Sequence, residues 1–313
     1  MTSKPDTRGA DSASPGNAAD AETRGADAAA SPDSAADAGA RGTASPGARL
    51  PADAVDAVTV PARTTTASRA VTASPVARST LVRWTAARVA LGRAGASLPT
   101  AAHLGFLHDH ARARDAVWTA VDFDDVARRL DSAGIATVRV RSRAHDRTEY
   151  LRRPDLGRCL DANAEASLSL CASAARVVVV VADGLSAQAV QSNAVAVIEH
   201  LVAQLAAARI AVPLVVLAEQ SRVAIGDPIA VALGAEVAIV LIGERPGLSA
   251  ADSLGCYLTW SPQVGTPDSL RNCISNIRAG GLAPAVAARQ IAQVAIEALR
   301  RGVSGVALKL LPA

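Results

Sequence analysis

Between Arg176 and Arg300 the chain alternates between β-branched runs and helically spaced stripes. "RVVVVVADGLS" is a valine run closed by Asp183 and Gly184. A helical stripe follows from about Ser186, with Val190, Ala194, Val197, Ile198, Leu201 and Leu205 on one side. "AVPLVVLA" reads as a second strand, "EQSRVAIGD" as a loop, and the residues after it as a short helix stopped at Gly234. Asp227 suits the N-cap of that helix and Pro228 its first turn. "EVAIVLIG" is a third strand, and a last amphipathic helix around Leu282 to Arg300 turns Ile291, Val294, Ala295 and Leu299 inward. Strand, helix, strand, helix, strand predicts an α/β fold: a Rossmann-like parallel sheet with flanking helices. Right-handed crossovers put the three strands side by side. The loops at Asp183, at Ser221 to Ile225 and at Glu244 then leave the carboxyl edge, where open α/β sheets bind ligands.

One of these loops is chemically unusual. The greasy run Val237 to Ile242 stops at Gly243 and runs straight into Glu244, Arg245, Pro246 and Gly247. A carboxylate and a guanidinium therefore sit between bending residues at the candidate edge.

Three sections are expected. Residues 1–78 are dominated by Ala, Asp, Ser, Pro, Gly and Thr, with "TRGAD" and "ASPG" each occurring twice. Such a tract buries too little apolar surface to offset the entropy of ordering it, and reads as a disordered low-complexity arm. Residues 79–170 read as an N-terminal helical section, in which "LVRWTAARVALGRAG" has helical spacing and Gly134 stops a helical pair. Residues 171–313 form the Rossmann-like domain.

Composition excludes several chemistries. The only lysines are Lys4 and Lys309, so the middle of the chain has none for a Walker loop or a Schiff base. A net charge of +3 is too mild to argue for nucleic acid. The four cysteines, Cys159, Cys171, Cys256 and Cys273, form no C-x-x-C pair. With no apolar secretory segment at the N-terminus, reduced thiols and a cytoplasmic setting are expected. No apolar stretch has transmembrane length.

The motifs narrow the field further. No G-x-G-x-x-G follows any strand and no G-x-S-x-G elbow is present, which weakens the dinucleotide and α/β-hydrolase readings. "HLGFLHDH" gathers His103, His108 and His110, but residues two apart on a helix point to different sides, so no metal site is expected. The cobalamin motif D-x-H-x-x-G is absent. Arg139, Arg141, Arg143, Arg147, Arg152, Arg153 and Arg158 form a basic strip interleaved with Asp146, Glu149 and Asp155. It suits ion pairs or a protein interface better than nucleic acid, for which only Tyr150 could stack on a base. A non-catalytic module using this strip on an anionic partner is the alternative reading. Cys273 has Arg271 near it but no His in its segment, and reads as a contact or small buried residue rather than a nucleophile.

Seven ordered runs carry a resemblance: "LGRAGASLPT", "DHARARDAV", "SRAHDRTEYLRRPDLGR", "VVVADGLSAQAVQ", "RVAIGDPIA", "LIGERPGLSAADSLGCYLTW" and "RNCISNIR". Together they resemble the small (light) subunit of ethanolamine ammonia-lyase over most of Leu81 to Arg300. The resemblance implies an adenosylcobalamin-dependent carbon–nitrogen lyase that turns ethanolamine into acetaldehyde and ammonia by a radical mechanism. It implies a large-subunit partner, a TIM barrel holding the substrate, while this chain closes over the cobalamin. The family's cobalamin contacts fall on Val223 in "RVAIG", Glu244 in "GERPG" and Cys273 in "RNCIS". No catalytic acid, base or nucleophile is implied here, so the chain alone is expected to be inactive. In the family the N-terminal part is associated with solubility and with packaging into a bacterial microcompartment. The low-complexity composition of residues 1–78 shows no amphipathic pattern of the kind used as an encapsulation signal, so that packaging role is not expected from it.

Overall fold

Valine- and isoleucine-rich runs become central strands because only strands with helices on both sides can bury an unbroken apolar run. The computed structural model describes residues 80–171 and 175–308. The strands are β1 (Ala136–Arg141), β2 (Val177–Ala182), β3 (Leu214–Glu219), β4 (Val237–Gly243), β5 (Leu254–Trp260) and β6 (Arg271–Ile277). They form one sheet in the order β1-β3-β2-β4-β5-β6. Every residue of β2 and of β4 is buried, whereas β1 and β6 alternate and lie at the edges.

The helices are α1 (Thr100–Trp118), α2 (Phe123–Ser132), α3 (Arg147–Arg152), α4 (Ala162–Leu170), α5 (Ala187–Ala207), α6 (Gly226–Leu233) and α7 (Pro284–Arg301). On one face of the sheet Val177, Val179 and Val181 pack with α2, α5 and α7; Ile198, Leu201, Leu205 and Ile291 are fully buried there. On the other face Val178, Val180 and Ala182 meet Leu168 of α4 and Ile229 of α6. Each large aliphatic side chain so buried contributes roughly 1.5–3 kcal/mol. Among the described residues no helix is long and apolar enough to cross a membrane.

The α/β architecture with flanking helices is present, but the sheet is mixed rather than parallel. β1, β3, β2 and β4 run parallel, β5 runs antiparallel to β4, and β6 antiparallel to β5. A ten-residue loop, too short for a crossover, joins β4 to β5 and forces the antiparallel return. β1 lies inside the section read as helical. Its arginines at period two, Arg139 and Arg141, mark an edge strand with one solvated face. The arm expected over residues 1–78 lies outside the described residues.

Local signals explain most boundaries. Asp122 caps α2 by accepting from Asp125 N at 2.9 Å, and Gly134, at φ +73°, ends the turn that follows. Ser186 caps α5 by accepting from Ala189 N at 3.1 Å. Asp227 does not cap α6 as expected. It lies in the first turn, and both its carboxylate oxygens face Arg271 instead, because a buried guanidinium is a stronger claimant than a backbone amide.

Candidate functional site

The three parallel strands β2, β3 and β4 deliver their following loops to one edge. β2 separates β3 from β4, so the loops carrying Val223 and Glu244 come from strands two apart rather than from neighbours. The chains come very close where β2 and β4 end. Leu185 N donates to the Gly243 carbonyl at 2.8 Å, and a Cβ on Gly243 would lie 2.2 Å from the Ser186 carbonyl oxygen. Only glycine fits there, which answers why the strand stops at Gly243.

Asp183 clasps this edge. Its Oδ1 accepts from Ser221 N at 2.8 Å and Gly184 N at 2.9 Å, and its Oδ2 from Gln220 N at 3.0 Å. Arg147 Nη1 approaches the same oxygen at 3.4 Å. Burial pushes the Asp183 carboxyl up to about 6, against the pull of those donors. The loop after β3 is thereby tied to the end of β2.

The loop between β4 and β5 is equally fixed. Ser186 Oγ donates to Ala251 O at 2.6 Å, and Asn193 Nδ2 to Asp252 O at 2.9 Å, anchoring the loop on α5. Glu244 N donates to Ser253 O at 3.0 Å, and Ser253 Oγ donates to Glu244 Oε2 at 2.5 Å. Asn276 N also points at Oε2, at 3.4 Å. Oε1 has no partner among the described residues. It lies over Gly255, where an added Cβ would be 2.9 Å away, at a register shift between Leu254 and Cys256. A glycine at a strand irregularity makes room for another side chain, and here the guest is Glu244.

These elements surround an open groove of about 1040 Å³. Val223, Glu244 and Cys273 all line it. Val223 opens the short turn Val223–Ile225 after β3 and is half-buried. Cys273 lies on β6 directly across from Tyr257 of β5. Partial desolvation pushes the Cys273 thiol above its ordinary value, although hydrogen bonding with Tyr257 acts the other way. Desolvation likewise pushes the Tyr257 phenol up to about 12. Both groups therefore stay protonated near neutral pH, and no thiolate nucleophile forms here. Below the groove Arg271 holds Asp227 through two bonds of 2.8 Å.

Sequence reasoning missed Tyr257, Gly255, Ser253 and the groove-lining Arg222, and it placed Arg158, which also lines the groove, only within the basic strip. The alternation in "LGCYLTW" was a usable strand signal, and its glycine a usable irregularity signal. The histidines His103, His108 and His110 are exposed on α1, and among the described residues no group of three or more His, Cys, Asp or Glu is placed to hold a metal ion. Much of the basic strip is spent internally. Arg139 pairs with Glu219 at 2.5 Å and Asp124 at 2.7 Å, Arg141 with Glu219 at 3.1 Å, and Arg153 with Asp155 at 2.7 Å.

A family model described as ethanolamine ammonia-lyase light chain matches residues 76–309. The chain belongs to that family. Among its relatives, the ethanolamine ammonia-lyase small subunit of Bradyrhizobium diazoefficiens is 52% identical over 228 residues, 72% of this chain and 87% of that protein. The small subunit of Rhodopseudomonas palustris is 50% identical over 230 residues, 73% of this chain and 88% of that protein. The small subunit of Xanthomonas campestris pv. campestris is 51% identical over 229 residues, 72% of this chain and 84% of that protein. The whole light-chain fold described above, from α1 to α7, lies inside the matched segment.

Proposed function

We propose that this light chain forms one wall of the adenosylcobalamin site of an ethanolamine ammonia-lyase, with a large subunit supplying the substrate site. The observation that carries this reading is the convergence of Val223, Glu244 and Cys273 on one groove. Their segments lie far apart in sequence and come from three different strand ends or strands.

The residues present fit such a cofactor. A corrin is a broad apolar disc with an amide rim. Val223 and the protonated Tyr257–Cys273 pair offer an uncharged surface to its body. Glu244, which lines the groove, offers a preset acceptor: Oε2 is held by Ser253, so the carboxylate is fixed in one rotamer with Oε1 left unpartnered among the described residues. Gly255 leaves the space in which that oxygen sits. When bound, the cofactor supplies radical chemistry through homolysis of its cobalt–carbon bond. The chain's own residues bind and orient the corrin rim and keep water from it. None moves a proton to or from substrate, so the isolated chain is inactive.

Two measurements test this. Co-expression with a cognate large subunit should give cobalamin-dependent release of acetaldehyde from ethanolamine, and an assembled complex without that activity defeats the reading. Glu244→Ala should weaken cobalamin binding about 10-fold, the loss of one charge-assisted hydrogen bond, with little change in Tm. Unchanged cobalamin affinity removes Glu244 from the site. Placement in the cytoplasm or inside a microcompartment belongs to the same reading, and cell fractionation of the tagged complex distinguishes the two.

A further inference from the structure

The groove has two chemically different ends. β3 and β4 are two steps apart in the sheet, about 10 Å at the usual strand spacing, so the loop after β3 and Glu244 face separate parts of a ligand. At the β3 end stand Arg222, just after Ser221, and Arg158, in the turn Leu156–Arg158. The two are neighbours through Gly157: Arg222 N donates to the Gly157 carbonyl at 2.8 Å, and a Cβ on Gly157 would come within 2.9 Å of Arg222 Cγ.

Neither guanidinium is neutralised. The Arg158 side chain has no hydrogen-bond or ion-pair partner among the described residues. Arg222 donates through Nη2 to Tyr150 O at 3.0 Å and lies 4.1 Å over the Tyr150 ring, but its Nε is buried without a partner. A buried N–H of a charged group left unpaired is costly, and it marks a guanidinium whose donors the fold has not used up. Two carboxylates stand near this end and both are occupied: Asp155 by Arg153 at 3.0 and 2.7 Å, and the buried Asp183 by the Gln220 and Ser221 amides and by Arg147. Arg147, 4.7 Å over the Tyr150 ring, is paired with Asp183 and is not part of this unpaired set.

We propose that Arg158 and Arg222 form an anion subsite that receives the phosphodiester of the cobalamin's nucleotide tail. The inference rests on the cofactor reading above and adds to it a second anchor of opposite sign. Glu244 accepts from the amide rim, while the arginines donate to the ligand's single anionic group. A guanidinium suits this role because its N–H groups fit two phosphate oxygens at once.

The test uses the assembled two-subunit complex and two corrinoids: cobalamin, and cobinamide, which lacks the nucleotide tail and its phosphodiester. Binding is read by absorbance titration, independently of turnover. Arg158→Ala, an exposed substitution that leaves folding intact, should weaken cobalamin about 10-fold and leave cobinamide unchanged. Arg222→Met should act in the same direction. Equal effects on both corrinoids, or none on either, overturn the subsite while leaving the cofactor reading in place. Loss of the large subunit on purification of Arg158→Ala also overturns it, assigning the arginine to an acidic surface of that partner. A wild-type complex that binds cobinamide but discriminates against cobalamin would overturn it too. One that binds neither sinks the cofactor reading itself.

Discussion

Two arginines line the same groove and live in opposite circumstances. Arg271 uses all five of its N–H donors: two on Asp227 at 2.8 Å, one on Thr259 Oγ1 at 3.0 Å, one on Thr266 O at 2.8 Å and one on Asp268 at 3.3 Å. Arg222 uses one hydrogen bond and a ring face, with a buried Nε left over. The first is a structural pin that locks the start of β6 to α6 and to the loop between β5 and β6. The second is an unfinished contact. Residue type and position along the groove do not separate them; donor accounting does.

The largest expected effect breaks the saturated end. Asp227 and the Arg271 side chain are 1% and 3% exposed, so Asp227→Ala strands a buried guanidinium. It should cost roughly 3–5 kcal/mol, seen as a fall in Tm of about 10 °C. A change within a degree or two would mean that water or Asp268 takes over, and that the pin is weak.

Next in size is the clasp at Asp183. Its carboxyl stands near 6 in the folded protein, above the ordinary value of 3.8. The folded state thus holds more protons than the unfolded state between these limits. Stability from this group is complete below pH 4 and is lost as pH rises through about 6, a fall of about 3 kcal/mol. Denaturant titrations of the wild type and Asp183→Asn across pH 4 to 7 should diverge by that amount. Parallel curves would show that the backbone donors and Arg147 offset burial.

The smallest effect on stability should come from Gly255→Ala. The added methyl's nearest neighbours all belong to the Glu244 side chain, Oε1 at 2.9 Å and Cγ at 3.1 Å, and none is backbone, so the fold should lose about 1 kcal/mol as that side chain gives way and its bond to Ser253 loosens. Cobalamin affinity should fall nonetheless, because Oε1 is pushed from its position. Unaltered affinity would sharpen the comparison in another direction, by showing that the preset carboxylate orientation does not matter.

Much was legible beforehand for a physical reason. The valine run of β2, the stripe Val190 to Leu205 and the Gly-Glu-Arg-Pro-Gly break each obey a local rule: burial on two faces, a 3.6-residue period, and bending residues at a strand end. β1 and β6 are hidden from a local reading because each carries polar residues on a face that only its place in the sheet explains, whereas the alternation of β5 is a local signal. Asp227 looked like a cap because a cap is a local role, and its partner Arg271 lies 44 positions away.

By itself the sequence determined the α/β alternation, the carboxyl-edge loops and, through seven ordered runs, the family, since these depend on neighbours along the chain. Tertiary structure decided the rest. It set β2 between the two loops that carry Val223 and Glu244, turned β5 back antiparallel so that Cys273 joins them, and gave Glu244 its space over Gly255. It also saturated one groove arginine and left another wanting. The reason is that hydrogen-bond completion and steric room are properties of what a fold brings together, and no local pattern records them.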